Sequence, residues 1–290
     1  MKKIVFIAFA VLLTAIAITT SCDKVDAPYL EEGGSIVTGD TVRKLLLEDF
    51  TGHLCPNCPG AHLTIEGLKK VYGDRMVVSV IHTGYFATVD PAPYDYDFTC
   101  TAGDAIGVAF GADQVGLPKG MVNRKKTGGY LMNPAAYATA VSKILDDLDT
   151  KPDIFIEIKP TYKSSDKTIA VDVKMSVLKN MPAGKYNISV IVVESKIIAA
   201  QKNTVSSINN GHEILDYEHN EILRGAINTT WGEEFADASL SVGQTFSKSY
   251  SNYKIGTDWK SDNLTIIAYV SYADGPKDKE IIQAEEVHLK

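Results

Sequence analysis

Leu45-Leu46-Leu47-Glu48-Asp49-Phe50-Thr51-Gly52 runs directly into His53-Leu54-Cys55-Pro56-Asn57-Cys58, and this stretch decides the reading of the fold. A short apolar run ended by Thr51-Gly52 reads as a buried strand stopping at a turn. A helix is predicted from about Pro59, with Leu63, Ile65, Leu68 and Val71 as its apolar stripe and Gly73 at its stop. Met76 to Ile81 then reads as a second buried strand. A cysteine pair at such a strand-to-helix junction sits where unpaired backbone N–H groups and the helix dipole favour a thiolate. That placement predicts Cys55 as a solvent-side nucleophile and Cys58, one helical turn on, as the resolving thiol. A passive disulfide clipping the helix start is the competing account.

Toward the C-terminus, a Pro- and Tyr-rich loop spans Thr83 to Phe98, and an Ala/Gly-rich helical stretch spans Ala102 to Ala112. Val115-Gly116-Leu117-Pro118 then precedes a brief strand at Met121 to Asn123. Pro134 opens a helix with Tyr137, Val141, Ile144, Leu145 and Leu148 on one face. Beyond Lys151 the period changes to two. Ile154, Ile156 and Ile158 alternate with less apolar neighbours, as do Ile169, Val171, Val173, Met175 and Val177, and further strands are expected at Tyr186 to Val193, Leu264 to Tyr272 and Ile281 to Leu289. The pattern predicts an α/β unit over residues 41–151 followed by an antiparallel, immunoglobulin-like β-sandwich over residues 152–290. Ser195 to Tyr253 is too long for a bare loop and must carry structure of its own.

Toward the N-terminus, Lys2 and Lys3 precede an apolar run from Ile4 to Ile18, then Thr19-Thr20-Ser21 and Cys22. This reads as an export signal over residues 1–21. Small residues before a cysteine resemble the lipobox of bacterial lipoproteins, which implies cleavage before Cys22 and its acylation. Residues 22–40, rich in Asp, Glu and Gly, then form a tether that holds the folded part near a membrane. Export implies an oxidising compartment, so Cys55, Cys58 and Cys100 read as disulfide or redox candidates before metal ligands. The 290 residues are 45% hydrophobic, enough for two packed units, and the net charge of -7 is spread without a basic stripe, which excludes a nucleic-acid partner.

Leu46 to Cys58, with Glu48-Asp49-Phe50 before the pair, resembles the active-site strand and helix start of the thioredoxin superfamily. The resemblance implies that Asp49, six residues before Cys55, is a buried acid taking the proton of the resolving cysteine, and that Pro118 is a cis-proline shaping a peptide groove. A surface-facing strand residue is the plainer account of Asp49. Leu54 and Pro59 depart from the superfamily's usual flanking residues. Phe50-Thr51-Gly52 with the cysteine pair, His82, Gly116-Leu117-Pro118, Val122-Asn123-Arg124 and His219-Asn220-Glu221-Ile222-Leu223-Arg224 together resemble a Bacteroidetes outer-membrane lipoprotein family. That family is named after a twenty-eight-kilodalton outer-membrane protein and joins a thioredoxin-like domain to a sandwich.

Two functions follow as expectations. One is a thiol-disulfide oxidoreductase in the cell envelope, acting on exported protein thiols or disulfides. The other is a surface binding protein or adhesin whose disulfide is structural, with a surface ligand as its partner. No cofactor is expected. His53 and His62 flank the cysteines, but their spacing is not that of a zinc finger and no metal site is assigned. His53 and His82 are candidate modulators of the thiolate, with local hydrogen bonding the plainer account of His82. Cys100 reads as a buried small hydrophobe, a transient disulfide partner or an intermolecular bridge. Tyr85, Phe86, Tyr94, Tyr96 and Phe98 either line a substrate groove or pack over their own surface, and His212, His219 and Arg224 suggest a polar contact between the two units.

Overall fold

The computed structural model describes residues 41–147 and 149–289. The expected signal segment, Cys22 and the tether lie outside them, as does Leu148. From Thr41 onward the chain forms one compact unit.

Strands β1 (Leu45–Thr51) and β2 (Met76–His82) pair in parallel, and every residue of both is buried. Continuous apolar runs of this kind suit strands covered on both faces. Helix α1 (Cys58–Tyr72) makes the crossover and ends at Gly73, whose φ of 54° is a backbone state that glycine adopts without cost. Helix α2 (Thr101–Phe110) follows, then β3 (Lys119–Val122), antiparallel to β1, and helix α3 (Tyr137–Leu145). Gly120 faces Asp49 across that pair. A Cβ at Gly120 would run into the Tyr137 hydroxyl and lie 2.9 Å from the Glu48 carbonyl oxygen, so the close approach of α3 to the sheet requires glycine there.

The rest is β structure: β4 (Ile154–Lys163), β5 (Thr168–Val177), β6 (Lys185–Glu194), β7 (Ile197–Gln201), β8 (Ile214–His219), β9 (Ile222–Ala226), β10 (Glu233–Asp237), β11 (Thr245–Lys254), β12 (Leu264–Tyr272) and β13 (Ile281–His288). The protein is therefore a mixed α/β structure dominated by sheets. The main sheet runs β13-β12-β6-β9-β2-β1-β3, with β10 also paired to β6, while β11-β5-β4 forms a second sheet and β7-β8 a separate ladder.

Residue alternation along these strands explains the layering. Leu46 and Phe50 of β1, Val77 and Ile81 of β2, Ile191 and Val193 of β6 and Ile267 and Tyr269 of β12 share one core with Ala102 and Ile106 of α2. The opposite face is divided. Leu45, Leu47 and Val78 pack with Ile65 of α1 and Tyr137 and Val141 of α3, whereas Ile188, Val190, Val192, Ile266 and Ala268 pack with Ile156, Val171, Val173 and Met175 of the second sheet. The two architectures expected on either side of residue 151 thus share one sheet. Its joint is β9, which pairs with β2 through Val80 and Ile222 and runs antiparallel to β6.

The stripe expected on α1 is only partly the buried one. Leu63 and Val71 are 48% and 73% exposed, while Cys58, Pro59, Ala61 and Ile65 are buried. The buried face is set by Cys58 at the first turn, and residues recurring at helical spacing from it are 61, 65 and 68 rather than 63 and 71.

A buried arginine ties the sheet together. Arg124 donates to both Glu48 carboxylate oxygens (2.7 and 2.6 Å) and to the Tyr269 hydroxyl (3.1 Å), with the rings of Phe110, Trp231 and Tyr269 around its guanidinium. Burial opposes its charge, but Glu48 and Tyr269 outweigh that, so the pKa of Arg124 ends above its ordinary value.

Candidate functional site: a capped disulfide

Cys55 and Cys58 are joined in a disulfide at the start of α1. The local turn explains the placement: the Cys55 N–H donates to the Gly52 carbonyl (2.9 Å), and Pro59 occupies an early helical position where its missing N–H has no partner to lose. Both cysteines are 0% exposed, within the core that holds Leu46, Phe50, Ala112 and Leu117. This corrects the expectation of a solvent-side Cys55.

What holds the cysteine loop comes from far along the sequence. The segment after β7 crosses the cysteine loop, and its backbone donates from Lys202 to the His53 carbonyl (2.8 Å) and from Thr204 to the Pro56 carbonyl (2.9 Å). The buried Gln201 side chain donates to the carbonyls of Cys55 (3.0 Å) and Gly52 (3.3 Å). Asn203 in turn holds the strap's own turn by donating to the carbonyls of Ile208 and His212. Successive bonds from alternate residues are the pattern with which an added extended strand engages an exposed edge. Here the protein's own chain makes them.

Asp49 is fully buried, which excludes the surface-facing account of it. Its Oδ1 accepts from the Tyr137 hydroxyl (2.7 Å), while its Oδ2 has no hydrogen-bond partner and lies 3.6 Å from His62 Nε2. His62 Nδ1 contacts the Tyr217 hydroxyl at 2.8 Å. Burial and the neighbouring Asp49 push the Tyr137 phenol pKa upward, so Tyr137 is a fixed donor. The Leu117–Pro118 peptide is cis, and Pro118 is half-buried immediately before β3.

His53 and His82 belong to a second arrangement. Phe98 is buried between His82, stacked at 4.4 Å, and His219, also at 4.4 Å, with His53 edge-on at 5.5 Å. His53 Nε2 contacts the Thr88 carbonyl (2.9 Å), but neither ring nitrogen of His82 has a hydrogen-bond partner, so His82 is not satisfied locally. Burial pushes His219 down to about 3 and His82 well below the ordinary imidazole range. His62 turns instead toward Asp49 and Tyr217, so the two thiols and two imidazoles do not converge. Among the described residues, no cluster of three or more His, Cys, Asp or Glu side chains could hold a metal ion.

Cys100 is a free, half-buried thiol whose sulfur accepts from the Gly103 N–H (3.3 Å), capping α2, and burial pushes its pKa up. The aromatic loop packs mainly over its own surface: Phe98 and Tyr94 are buried, while Tyr85 points outward. Arg224 pairs with Glu194 and Asp258 (3.3 Å each) and lies over the Tyr96 ring, and His212 contributes its carbonyl to the strap. Sequence reading missed Gln201, which carries no signal without the fold. It also missed the Glu48–Arg124 pair, for which an acid inside an otherwise apolar strand was the one available sign.

Fold and geometry together define a sheet-dominated α/β protein with a buried disulfide at a strand-to-helix turn. Residues 105–290 match the family model described as outer membrane protein Omp28. The chain belongs to that family, which places it at the outer membrane of the cell envelope. Among solved structures it is similar to HBP35 of Porphyromonas gingivalis, with TM-score 0.59 and 17% identity over 87% of this chain and 76% of that one. It is also similar to protein AGR_C_4864 from Agrobacterium tumefaciens, with TM-score 0.53 and 10% identity over 86% and 96% of the two chains. A domain of the outer membrane lipoprotein Omp28 from Porphyromonas gingivalis matches at 21% identity over 48% of this chain and 89% of that one, with TM-score 0.30. Comparison with curated proteins gives no match. Among the described residues no helix is long and apolar enough to cross a membrane.

Proposed function

We propose that the protein is a lipid-anchored binding protein of the outer membrane in which Cys55–Cys58 is a sealed structural clip. On this reading β1, α1, β2 and β3 form a thioredoxin-like unit, the two packed sheets an immunoglobulin-like sandwich, and Cys22 the acylated anchor. The observation that carries the reading is the full burial of both cysteines in a loop that the Gln201–Thr204 strap holds by hydrogen bonds. Thiol-disulfide exchange needs an attacking sulfur to reach one of the pair in line, and two cysteines with no exposed surface offer no such approach. The test is titration of the pair against glutathione, together with a search for mixed disulfides on a Cys58→Ser variant. A potential below about -300 mV and no trapped protein support the clip, since resistant structural disulfides fall in that range. A potential near that of the envelope's glutathione pool with trapped partners contradicts it.

One observation favours a second reading, a thiol-disulfide oxidoreductase acting on exported proteins. Asp49 is buried with one carboxylate oxygen unpartnered between Tyr137 and His62, and a purely structural clip does not need such a group. In that cycle the Cys55 thiolate attacks a substrate disulfide, giving a mixed disulfide and one substrate thiolate. Asp49 takes the proton of Cys58, which then attacks Cys55, releases the second substrate thiolate and restores the Cys55–Cys58 bond. Pro118 shapes the peptide groove, His53 and His82 tune the thiolate, and the strap must lift before the first step.

A further inference from the structure

A second recess lies away from the disulfide, between the end of β3, the turn that follows it and α3. It has a volume of about 300 Å³, with Val122, Met132, Ala140 and Ile144 forming an apolar floor. Lys125 and Lys143 stand at its rim, and no carboxylate lines it. A neighbouring recess shares both lysines, but its acids are engaged: Asp147 pairs with Arg43 at 3.3 Å, Asp153 with Lys179 at 3.5 Å, and Glu280 with Lys125 at 3.8 Å. Lys143 has no ion-pair or hydrogen-bond partner among the described residues. An apolar floor beside an uncompensated ammonium is complementary to a molecule with an apolar body and one anionic end. The volume is at the lower limit for small-ligand sites and holds about ten heavy atoms at roughly 30 Å³ each.

We propose that this recess binds a short single-chain carboxylate, its hydrocarbon chain on the Val122, Met132, Ala140 and Ile144 floor and its carboxylate at Lys143, with Lys125 adding to the field. The site is separate from Cys55–Cys58, and its test stands whichever reading of the disulfide holds. Burial of the chain supplies most of the affinity, because it removes apolar surface from water. The charge pair supplies selection over neutral and cationic ligands of the same length.

The experiment is calorimetric titration of the full chain carrying Cys22→Ser, which has no acyl group to compete, with octanoate, 1-octanol and octylamine below their aggregation limits. Saturable one-to-one binding of octanoate, at least tenfold tighter than 1-octanol and with octylamine weakest, is expected. Lys143→Gln is exposed and leaves the packing intact. It should lower octanoate affinity to that of 1-octanol without changing 1-octanol itself, and Ala140→Leu, which fills the floor, should weaken both. Absence of saturable octanoate binding, equal affinity for the three ligands, or an unaltered octanoate affinity in Lys143→Gln would overturn the proposal.

Discussion

Acid should weaken this protein through His219, and the size of the effect follows from its surroundings. The ring is buried against Phe98, Tyr217 and His82. Burial, and after it the nearby His62 and His53, lower its pKa from 6.5 to about 3. The unfolded chain therefore takes up a proton near pH 6.5 that the folded chain refuses until about pH 3. Stability is complete above pH 6.5, falls by about 1.4 kcal/mol for each unit below it, and the loss is full only near pH 3. At pH 5, which still lies above the folded value, the loss is about 2 kcal/mol. Such a loss is large against a typical domain stability of about 5–15 kcal/mol. His219→Phe keeps an aromatic ring in the box and removes the titration. Urea unfolding at pH 7 and pH 5, followed by the fluorescence of Trp231 and Trp259, should show the variant losing about 2 kcal/mol less than the native chain. Equal losses in the two proteins would refute the reasoning.

Arg124→Ala should cost about 3–5 kcal/mol in the same unfolding assay, because it leaves the Glu48 carboxylate buried without a partner. A loss under about 1 kcal/mol would mean that water reaches Glu48 and that the pair does not hold the sheet. Gly120→Ala should destabilise by about 1–3 kcal/mol in that assay through overpacking against Tyr137 and Glu48, and an unchanged midpoint would show that α3 can shift away from the sheet. Replacing Cys55 and Cys58 together by alanine should cost about 2 kcal/mol, the chain-entropy figure for a closed loop this short, with circular dichroism at 20 °C unchanged.

The strand-helix-strand opening was legible because β1 and β2 are buried on both faces and so read as unbroken apolar runs. The alternation of Ile169, Val171, Val173, Met175 and Val177 was legible for the opposite reason, since one face of β5 meets the core and the other does not. What escaped was long-range. The Ser195–Tyr253 segment holds the joint strand β9 and the strap, yet β9 is only five residues long, and the strap's hold on the cysteine loop is divided between the backbone N–H groups of Lys202 and Thr204 and the side chains of Gln201 and Thr204, polar residues that make no periodic pattern. The same gap explains Cys55: position at a helix start predicted an accessible thiol, whereas long-range packing with Ala112 and Leu117 places it in the core. His82 and His219 are 137 positions apart in sequence, so the box around Phe98 could not be seen before folding.

The most direct test of the sealed clip is the rate at which dithiothreitol reduces Cys55–Cys58 in the native chain, compared with Gln201→Ala, which removes the side chain bridging the strap to Gly52 and Cys55. Mass spectrometry after alkylation counts the freed thiols. The account predicts that reduction of the native chain follows opening of the strap, saturating as reductant concentration rises, and that Gln201→Ala is reduced at least tenfold faster. Rapid reduction of the native chain at a rate proportional to dithiothreitol and unchanged in Gln201→Ala would contradict it.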